Sequence, residues 1–321
     1  MMNKYYNVDV PPEMAGQRLD QALAILLPEY SRARLSAWIK TGNVLLDGQV
    51  RRPRDKVLGG EQITVEAVVE VDERHQAEPI PLDIIYEDDT LIVLNKPAGL
   101  VVHPAAGNHA GTLLNALLHH APELAQVPRG GIVHRLDKDT SGLLVVARSL
   151  TAQHALVQAL QAREVQREYE TVVVGEMTGG GTVNENIGRH PVDRKRMAVI
   201  SSGRSAITHY RLAERYRAHT RLRVQLVTGR THQIRVHMAH IRHPVVGDPV
   251  YGGRQRIPAG CSEDLRLFLQ GFGRQALHAA RLGLVHPASG EYIEWSLNPP
   301  QDMQQLMEML REDNACATRS T

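Results

Sequence analysis

The chain has 321 residues, 42% of them hydrophobic, and a formal net charge of +2 at pH 7, which is compatible with about two domains and a sizeable core. Its two cysteines, Cys261 and Cys316, form no CxxC pair, which argues against a disulfide framework and against a zinc knuckle. Neither an N-terminal signal segment nor a run of the ~20 apolar residues that span a bilayer occurs, so we expect a soluble, cytoplasmic protein.

The first segment predicts a small module of helices and short strands. Leucines at helical spacing predict a helix over QRLDQALAILL, and Ser31 is a candidate cap for a second helix, SRARLSAWIK. Gly42 suits the end of that helix, and NVLLDGQV predicts a hairpin with Asp47 and Gly48 in a type I′ turn. The next stretch, VLGGEQITVEAVVE, predicts another pair of strands around its two glycines.

Basic residues are concentrated in this module, where only Asp47 and Asp55 oppose them between residues 31 and 56. Such a cluster on a nearly neutral chain indicates contact with a polyanion, although a merely solvated charged surface also explains it. A second basic region lies mid-chain and includes Arg163, Arg167, Arg189, Arg194, Lys195 and Arg196. The candidate RNA contacts of the module are Arg32, Arg34, Lys40, Arg51, Arg52, Arg54 and Lys56.

After a polar linker that contains prolines, the pattern changes to many strands and a few helices. IIYEDDTLIVLNKPAG predicts two strands joined by a turn, GTLLNALLHH a short helix, and GIVHRLDKDTSGLLVVAR a strand, a turn and a second strand. TAQHALVQALQAREV predicts a helix capped by Thr151, THQIRVHMAHI another helix, and residues 301–312 a last helix before a frayed tail. Because several strands follow one another directly, we predict an α+β fold with a mixed, mostly antiparallel sheet.

Three motifs carry candidate chemistry: HRLD, REYE around Tyr169, and TGRTHQIRVHMAH. A carboxylate among apolar residues is costly unless it is paired, and Arg230 and Arg235 are candidate partners of Asp137. Pairing would keep Asp137 ionised, as a nucleophile requires, and Tyr169 offers a flat face and a hydroxyl. This set suits attack on an electron-poor pyrimidine ring or its sugar carbon. A structural ion pair with a core tyrosine explains the same residues.

A metal site is the competing interpretation of the histidines His237, His240 and His243, which recur at every third residue near Asp248. Three ligands in HMAHIRH would have to share one helical face, and no glutamate is at hand as a base. We therefore favour phosphate contacts for this helix and predict no metal.

The motifs resemble those of RluA-type pseudouridine synthases. The likeness covers nearly all of residues 81–300 and includes NKPAGLVVHP, GIVHRLDKDTSGLLVVAR, GRTHQIRVHMAH and HPVVGDPVYGG. The N-terminal module resembles an S-four-like RNA-binding domain. These resemblances imply the pseudouridine synthase fold and four parts of the chain: an S-four-like domain over 17–71, a linker over 72–82, a catalytic domain over 83–312 and a tail over 313–321.

The resemblance also implies an activity and a substrate. It implies a cofactor-independent isomerase that converts uridines of large-subunit ribosomal RNA to pseudouridine in the stem-loop called helix 69. We expect a monomer, and whether the substrate is naked RNA or a pre-ribosomal or assembled subunit stays open. The rival hypotheses are a non-catalytic RNA chaperone or ribosome assembly factor and, from the histidines, a metal-dependent hydrolase.

Site roles follow from the resemblance residue by residue. Asp137 becomes the nucleophile, Arg235 the residue that pairs with it, and Tyr169 the residue that packs against the flipped uracil. Arg135 enters the RNA stem where the base has left. Whether Asp137 attacks the ribose, attacks the ring or removes a ribose proton stays open. The residues expected to line the site are Lys96, Pro97, His134, Leu136 and Arg230.

Overall fold

The computed structural model describes residues 4–28, 30, 32–67, 76–104, 108–193, 196–253 and 257–319. Ser31, predicted as a helix cap, and Arg194 and Lys195 of the mid-chain basic region lie outside these residues, as do part of the linker and the end of the tail. None of the helices in the described ranges is long and apolar enough to cross a lipid bilayer.

The described residues form seven α-helices and fifteen strands. The helices are α1 (Leu19–Leu26), α2 (Arg32–Thr41), α3 (Leu113–His120), α4 (Leu150–Ala162), α5 (Gln233–His240), α6 (Glu263–Gly271) and α7 (Gln301–Arg319). The strands are β1 (Lys4–Asp9), β2 (Val44–Leu46), β3 (Gln49–Val50), β4 (Gln62–Ala67), β5 (Ile84–Glu87), β6 (Leu91–Lys96), β7 (Ser141–Ala147), β8 (Gln166–Val174), β9 (Gly181–Asn184), β10 (Ile187–Arg189), β11 (Met197–Val199), β12 (Ile207–Arg215), β13 (His219–Leu226), β14 (Leu277–Val285) and β15 (Tyr292–Ser296).

The N-terminal module has a hydrophobic core of its own, to which α1, α2 and the sheet contribute. The sheet has the strand order β1-β4-β2-β3, and all its pairs are antiparallel. Asp47 and Gly48 have φ values of 48° and 72°, which confirms the predicted hairpin with a type I′ turn. Gly42 ends α2 with a φ of 82°, also as predicted.

The predicted pair of strands around the double glycine is wrong. Only β4 forms a strand there, and its partners are β1 and β2. The backbone N–H groups of Leu58 and Gly59 donate to the carboxylate of Glu61, both at 2.6 Å, and that of Val57 donates to the carbonyl of Gln17 at 3.0 Å. These contacts use the N–H groups that a strand would offer to a neighbour.

A nine-stranded sheet dominates the rest of the chain. Its strand order is β5-β6-β7-β14-β8-β13-β12-β9, with β15 paired to β14. Every pair is antiparallel except β7 with β14, which confirms the predicted mixed, mostly antiparallel α+β fold. The central strand β8 carries Tyr169, and α5 follows its neighbour β13, so the sheet brings two of the three motifs close together.

Residues 131–137, predicted as a strand, form a loop instead. The three residues 129–131 have φ values of 57°, 59° and 75°, a left-handed conformation that a strand excludes. Ile132 makes a single bridge to β7. The alternating apolar residues imitate a strand because Ile132 and Leu136 are buried one at a time beneath the loop.

A methyl group at Gly131 is expected to destabilise this loop strongly. An ideal Cβ there would lie 1.8 Å from the carbonyl oxygen of Ala147, and the φ of 75° is unfavourable for alanine. We expect Gly131→Ala to lower the free energy of unfolding in urea by about 3 kcal/mol or more. Gly111→Ala is the matched control, because Gly111 has a φ of 67° but no atom within 4 Å of its Cβ position. Equal losses in both variants would show that the clash is unimportant.

Two helix ends differ from the prediction. The cap of α4 is Ser149 rather than Thr151, because the Ser149 hydroxyl accepts the backbone N–H of the residue three positions later, at 3.1 Å. The last helix, α7, continues past residue 312 into the predicted tail. There the carboxylate of Asp313 accepts hydrogen bonds of 3.0 and 2.8 Å from Arg217, which ties this part of the helix to the domain.

Candidate active site

A cavity of about 550 Å³ opens beside the loop of residues 131–137. Its wall is formed by this loop and Arg129 before it, by the second half of α4 with Arg163, by β8 and β14, and by residues 226–235, which connect β13 to α5 and begin that helix. Asp137, Tyr169 and Arg235 all line it. The structure therefore brings the three motifs, which are distant in sequence, to one place.

Arg235, in the first turn of α5, links two carboxylates. Its Nη1 donates to Asp137 Oδ2 at 3.0 Å, while its Nε and Nη2 donate to Asp248 Oδ2 and Oδ1 at 2.6 and 2.8 Å. The exposed fractions of these side chains are 5% for Arg235, 0% for Asp248 and 12% for Asp137. The two-pronged contact with Asp248 fixes the guanidinium plane, and another N–H of the guanidinium holds the more accessible carboxylate.

Both members of the Arg235–Asp248 pair keep their charge. Burial lowers the pKa of Arg235, but the hydrogen bonds and charges of Asp248 and Asp137 outweigh it, and the pKa lies above its ordinary value. Burial raises the pKa of Asp248, yet Arg235 and the backbone N–H groups of Tyr251 and Val250 hold it below its ordinary value. Asp137 therefore faces a permanent cation that another carboxylate has already oriented.

Tyr169 is a buried residue of β8 in the cavity wall. Burial raises the pKa of Tyr169, an effect that the charge of Arg167 reduces and the charge of Asp137 increases, so its hydroxyl keeps its proton. Because side chains alternate along a strand, Glu168 and Glu170 point to the opposite face of the sheet. Tyr169 thus presents to the cavity an aromatic ring and a neutral hydroxyl near the Asp137 charge. The flat face of this ring suits contact with a planar base.

The HRLD residues alternate between anchors and reactive groups. His134 Nε2 accepts the backbone N–H of Val145 at 3.2 Å, which ties the loop to β7. Burial, helped by the charge of Arg167, lowers the pKa of His134 to about 3, so the ring is neutral and suited to accept this bond. Leu136 is buried in the core, whereas Arg135 is exposed at the cavity. These two anchors hold the loop that presents Arg135 and Asp137.

Comparison with known proteins decides the family. A model described as RNA pseudouridylate synthase matches residues 90–240, and an S4 domain model matches residues 17–63. Two curated relatives are both named ribosomal large subunit pseudouridine synthase D. The relative from Escherichia coli (strain K12) is 58% identical over 305 residues, 95% of this chain and 94% of the relative. The relative from Xanthomonas campestris pv. campestris is 58% identical over 308 residues, 96% and 93% respectively.

The chain belongs to the RNA pseudouridylate synthase family. This confirms the resemblance recognised in its motifs. A solved structure titled human RNA pseudouridylate synthase domain containing 4 has a TM-score of 0.56 and 25% identity, over 71% of this chain and 93% of that one. A second solved structure, titled human RNA pseudouridylate synthase domain containing 1, has a TM-score of 0.52 and 24% identity, over 74% of this chain and 97% of that one. Both show that the nine-stranded domain has the fold of this family.

The structure separates the two arginines that the motif offered as partners of Asp137 in this synthase fold. Arg235 holds Asp137, whereas Arg230 lines the cavity and donates from Nε to the carbonyl of Ser205 at 3.1 Å. His134 and Leu136 also line the cavity, as expected.

Lys96 and Pro97, expected to line the site, lie outside the cavity wall. The ammonium of Lys96 is fully buried and donates to the carbonyls of Pro97, Leu100 and Lys138 at 2.7, 2.9 and 2.9 Å. Burial lowers the pKa of Lys96 to about 7, although the charges of Asp139 and Asp137 oppose this effect. Three carbonyls satisfy the buried amine. Because one of them belongs to Lys138, Lys96 stabilises the turn after HRLD from the side away from the cavity.

Asp248 and Tyr251 are residues of this site that the sequence did not assign to it. Asp248 Oδ1 accepts the backbone N–H groups of Val250 and Tyr251 at 2.8 and 3.0 Å, and the Arg235 guanidinium lies 5.1 Å from the Tyr251 ring centroid. The available signal was the Asp-Pro pair in GDPVYGG, which is typical of such a turn. In the sequence, Asp248 drew attention only as a neighbour of possible metal ligands.

Two of the candidate metal ligands, His237 in α5 and His243 after that helix, have other partners. His237 is buried, and its two ring nitrogens contact the Thr208 hydroxyl at 2.8 Å and the Glu185 carbonyl at 3.1 Å. His243 Nδ1 contacts the carbonyl of Val174 at 2.9 Å. Among the residues that the structure describes, no three His, Cys, Asp or Glu side chains are grouped to hold a metal ion.

Of the seven basic residues predicted to contact RNA in the S4 module, six are exposed and one is half-buried. The loop after β3 is fastened to the start of α1, where Leu19 N donates to Asp55 O at 2.8 Å. Arg32 joins it there through Asp20, with hydrogen bonds of 3.1 and 2.9 Å, while Lys40 lies at the other end of α2. Arg34 is half-buried. The exposed members are Arg32, Lys40, Arg51, Arg52, Arg54 and Lys56.

Proposed function

We propose that the chain isomerises uridine to pseudouridine in large-subunit ribosomal RNA, with the helix 69 stem-loop as its target. The observation that carries this proposal is the accessible carboxylate of Asp137, held at 3.0 Å by Arg235 in a cavity large enough for a nucleobase. The relatives named ribosomal large subunit pseudouridine synthase D support the choice of RNA. We expect the chain to act as a monomer in the cytoplasm, on pre-ribosomal or assembled RNA.

The reaction needs no oxidant or reductant. The N1–C1′ bond of the uridine breaks, a C5–C1′ bond forms, and a proton leaves C5 while N1 gains one. Asp137 supplies the carboxylate that reacts with the nucleotide, by attack on the ribose, by attack on the ring or by removal of a ribose proton. Arg235 holds that carboxylate in place through its Nη1 hydrogen bond, and the ring of Tyr169 packs against the base.

A uridine in a stem must leave its stack to reach Asp137. Arg135 is exposed at the cavity and adjoins the loop anchors His134 and Leu136, so its guanidinium is free to enter the RNA while its backbone stays fixed. A planar guanidinium stacks on neighbouring bases and fills the gap that the flipped base leaves. Arg135 therefore acts on the helix, and Tyr169 acts on the extruded base.

The S4 module is expected to supply affinity rather than chemistry. Contacts with phosphates release counterions, so each lost contact should flatten the slope of log affinity against log salt by about 0.7 to 0.9. The double variant Arg51→Gln/Arg54→Gln should flatten the slope and weaken RNA binding, while the rate at saturating RNA stays normal. Arg266→Gln/Arg281→Gln removes the same charge from exposed sites outside the module and should leave the slope unchanged. An unaltered slope in the first variant would make the cluster a solvated surface.

Release of tritium from RNA labelled at uracil C5 tests the proposed function directly, because isomerisation removes that hydrogen and binding alone leaves it in place. The chain should release tritium from a helix 69 stem-loop without added metal or cofactor. If the chain binds the stem-loop but releases tritium neither from it nor from intact large-subunit RNA, a non-catalytic assembly factor is favoured. Mapping pseudouridines in ribosomal RNA from cells with and without the gene would then identify the target positions.

A further inference from the structure

Arg167 is a buried guanidinium in the cavity wall that the roles above leave unexplained. Its exposed fraction is 8%, and its Nε atom has no hydrogen-bond partner among the described residues. Arg235, the other buried arginine of the wall, makes three hydrogen bonds to carboxylates. A buried cation without such partners lowers stability, so its retention at this place calls for a ligand that arrives later.

The position of Arg167 restricts what that ligand is. It lies two residues before Tyr169 in β8, so both side chains share the cavity face of the strand. A Cβ on Gly229 would lie 2.9 Å from Arg167 Nη1, so the guanidinium fills the space that the glycine leaves beneath its turn. Arginines that line the same cavity but are exposed to solvent include Arg129, Arg135 and Arg163.

We propose that Arg167 binds a carbonyl oxygen of the flipped uracil and stabilises the negative charge that the ring carries in the transition state. This inference rests on the proposed function. A backbone phosphate remains at the surface of the RNA and meets the exposed arginines first. A base that leaves the helix is the part of the substrate that reaches a buried group beside Tyr169.

Each route open to Asp137 puts charge on the uracil. Attack on the ribose and removal of a ribose proton both leave the electron pair of the broken N1–C1′ bond on the ring. Attack on C6 forms a bond from the carboxylate oxygen and moves the pair of the C5–C6 double bond through C4 to O4. In every case the carbonyl oxygens gain charge, which is used again when C5 bonds to C1′ and its proton leaves. A pre-positioned, buried cation is worth most against such transient charge.

The test compares Arg167→Gln and Arg167→Met with Arg223→Gln, which removes an exposed arginine from a neighbouring strand outside the cavity wall. The Arg167 variants should lose about 100- to 1,000-fold in the single-turnover rate, as when an oxyanion-binding donor is removed. Their affinity for the stem-loop should stay within a few-fold of wild type. Their Tm should stay equal or rise, because an unsatisfied buried cation is gone. Arg223→Gln should match wild type in all three measurements.

A second substrate separates charge stabilisation from packing. With 5-fluorouridine at the target position, fluorine replaces the hydrogen that leaves C5, so the rate measured is that at which the 5-fluorouridine itself is consumed. This ring accepts negative charge more readily, so the loss caused by Arg167→Gln should be smaller. An equal loss on both RNAs, a lowered Tm, or weakened binding with a normal rate would each overturn the inference. Absence of product from the wild-type chain would overturn the proposed function and the inference together, whereas a normal rate in both Arg167 variants would overturn the inference alone.

Discussion

Asp137→Asn is expected to abolish pseudouridine formation, with a loss of at least about a thousandfold in turnover. The substitution keeps the shape of the side chain and its place against Arg235, and it removes the charge that reacts. Because Arg235 remains held by Asp248, the loop should keep its conformation and the variant should bind RNA within a few-fold of wild type. Single-turnover conversion of the stem-loop and its dissociation constant are the two measurements.

Asp139→Asn is the matched control for this prediction. Asp139 lies in the same turn, two residues later, but it is absent from the cavity wall. Its carbonyl, which the substitution leaves intact, accepts a 3.2 Å hydrogen bond from Arg274. The control should therefore convert RNA at close to the wild-type rate. Turnover by Asp137→Asn above about a tenth of wild type would remove Asp137 as the covalent catalyst.

Local signals explain why most elements could be predicted from the sequence. The Asp47-Gly48 turn and the end of α2 at Gly42 depend on residues that tolerate positive φ, and the chain carries such residues where they are needed. The loop of residues 131–137 could not be predicted this way. Its buried Ile132 and Leu136 have the spacing of a strand, and the left-handed turn before it shows only as two glycines.

The candidate site was predictable where a motif names a residue and not where distant residues meet. HRLD indicated Asp137, and the spacing of the third motif offered both Arg230 and Arg235, between which only the family resemblance chose Arg235. The choice depends on Asp248, which fixes Arg235 by a two-pronged contact that only the folded chain forms. Lys96 was expected to line the site because the family resemblance implied it, yet its amine is buried against three carbonyls.

Arg235→Lys is expected to show that the shape of the guanidinium matters as well as its charge. An ammonium cannot hold both oxygens of Asp248 and reach Asp137 in the geometry seen here. We expect a loss of about 2 kcal/mol in the free energy of unfolding, less than the cost of removing the charge from a buried pair altogether. Misplacement of Asp137 should lower the rate at saturating RNA by about a hundredfold.

Arg230→Lys provides the comparison, because it makes the same change in the same motif at an arginine that donates from Nε to the Ser205 carbonyl and not to Asp137. It should weaken RNA binding by no more than a few-fold, with little change in unfolding free energy. The decisive measurement is the rate at saturating RNA. If Arg235→Lys keeps that rate and only binds RNA more weakly, Arg235 contacts phosphate rather than positioning the nucleophile. If both variants lose rate equally, the Asp248–Arg235–Asp137 chain has no special role, because Arg230 lies outside it.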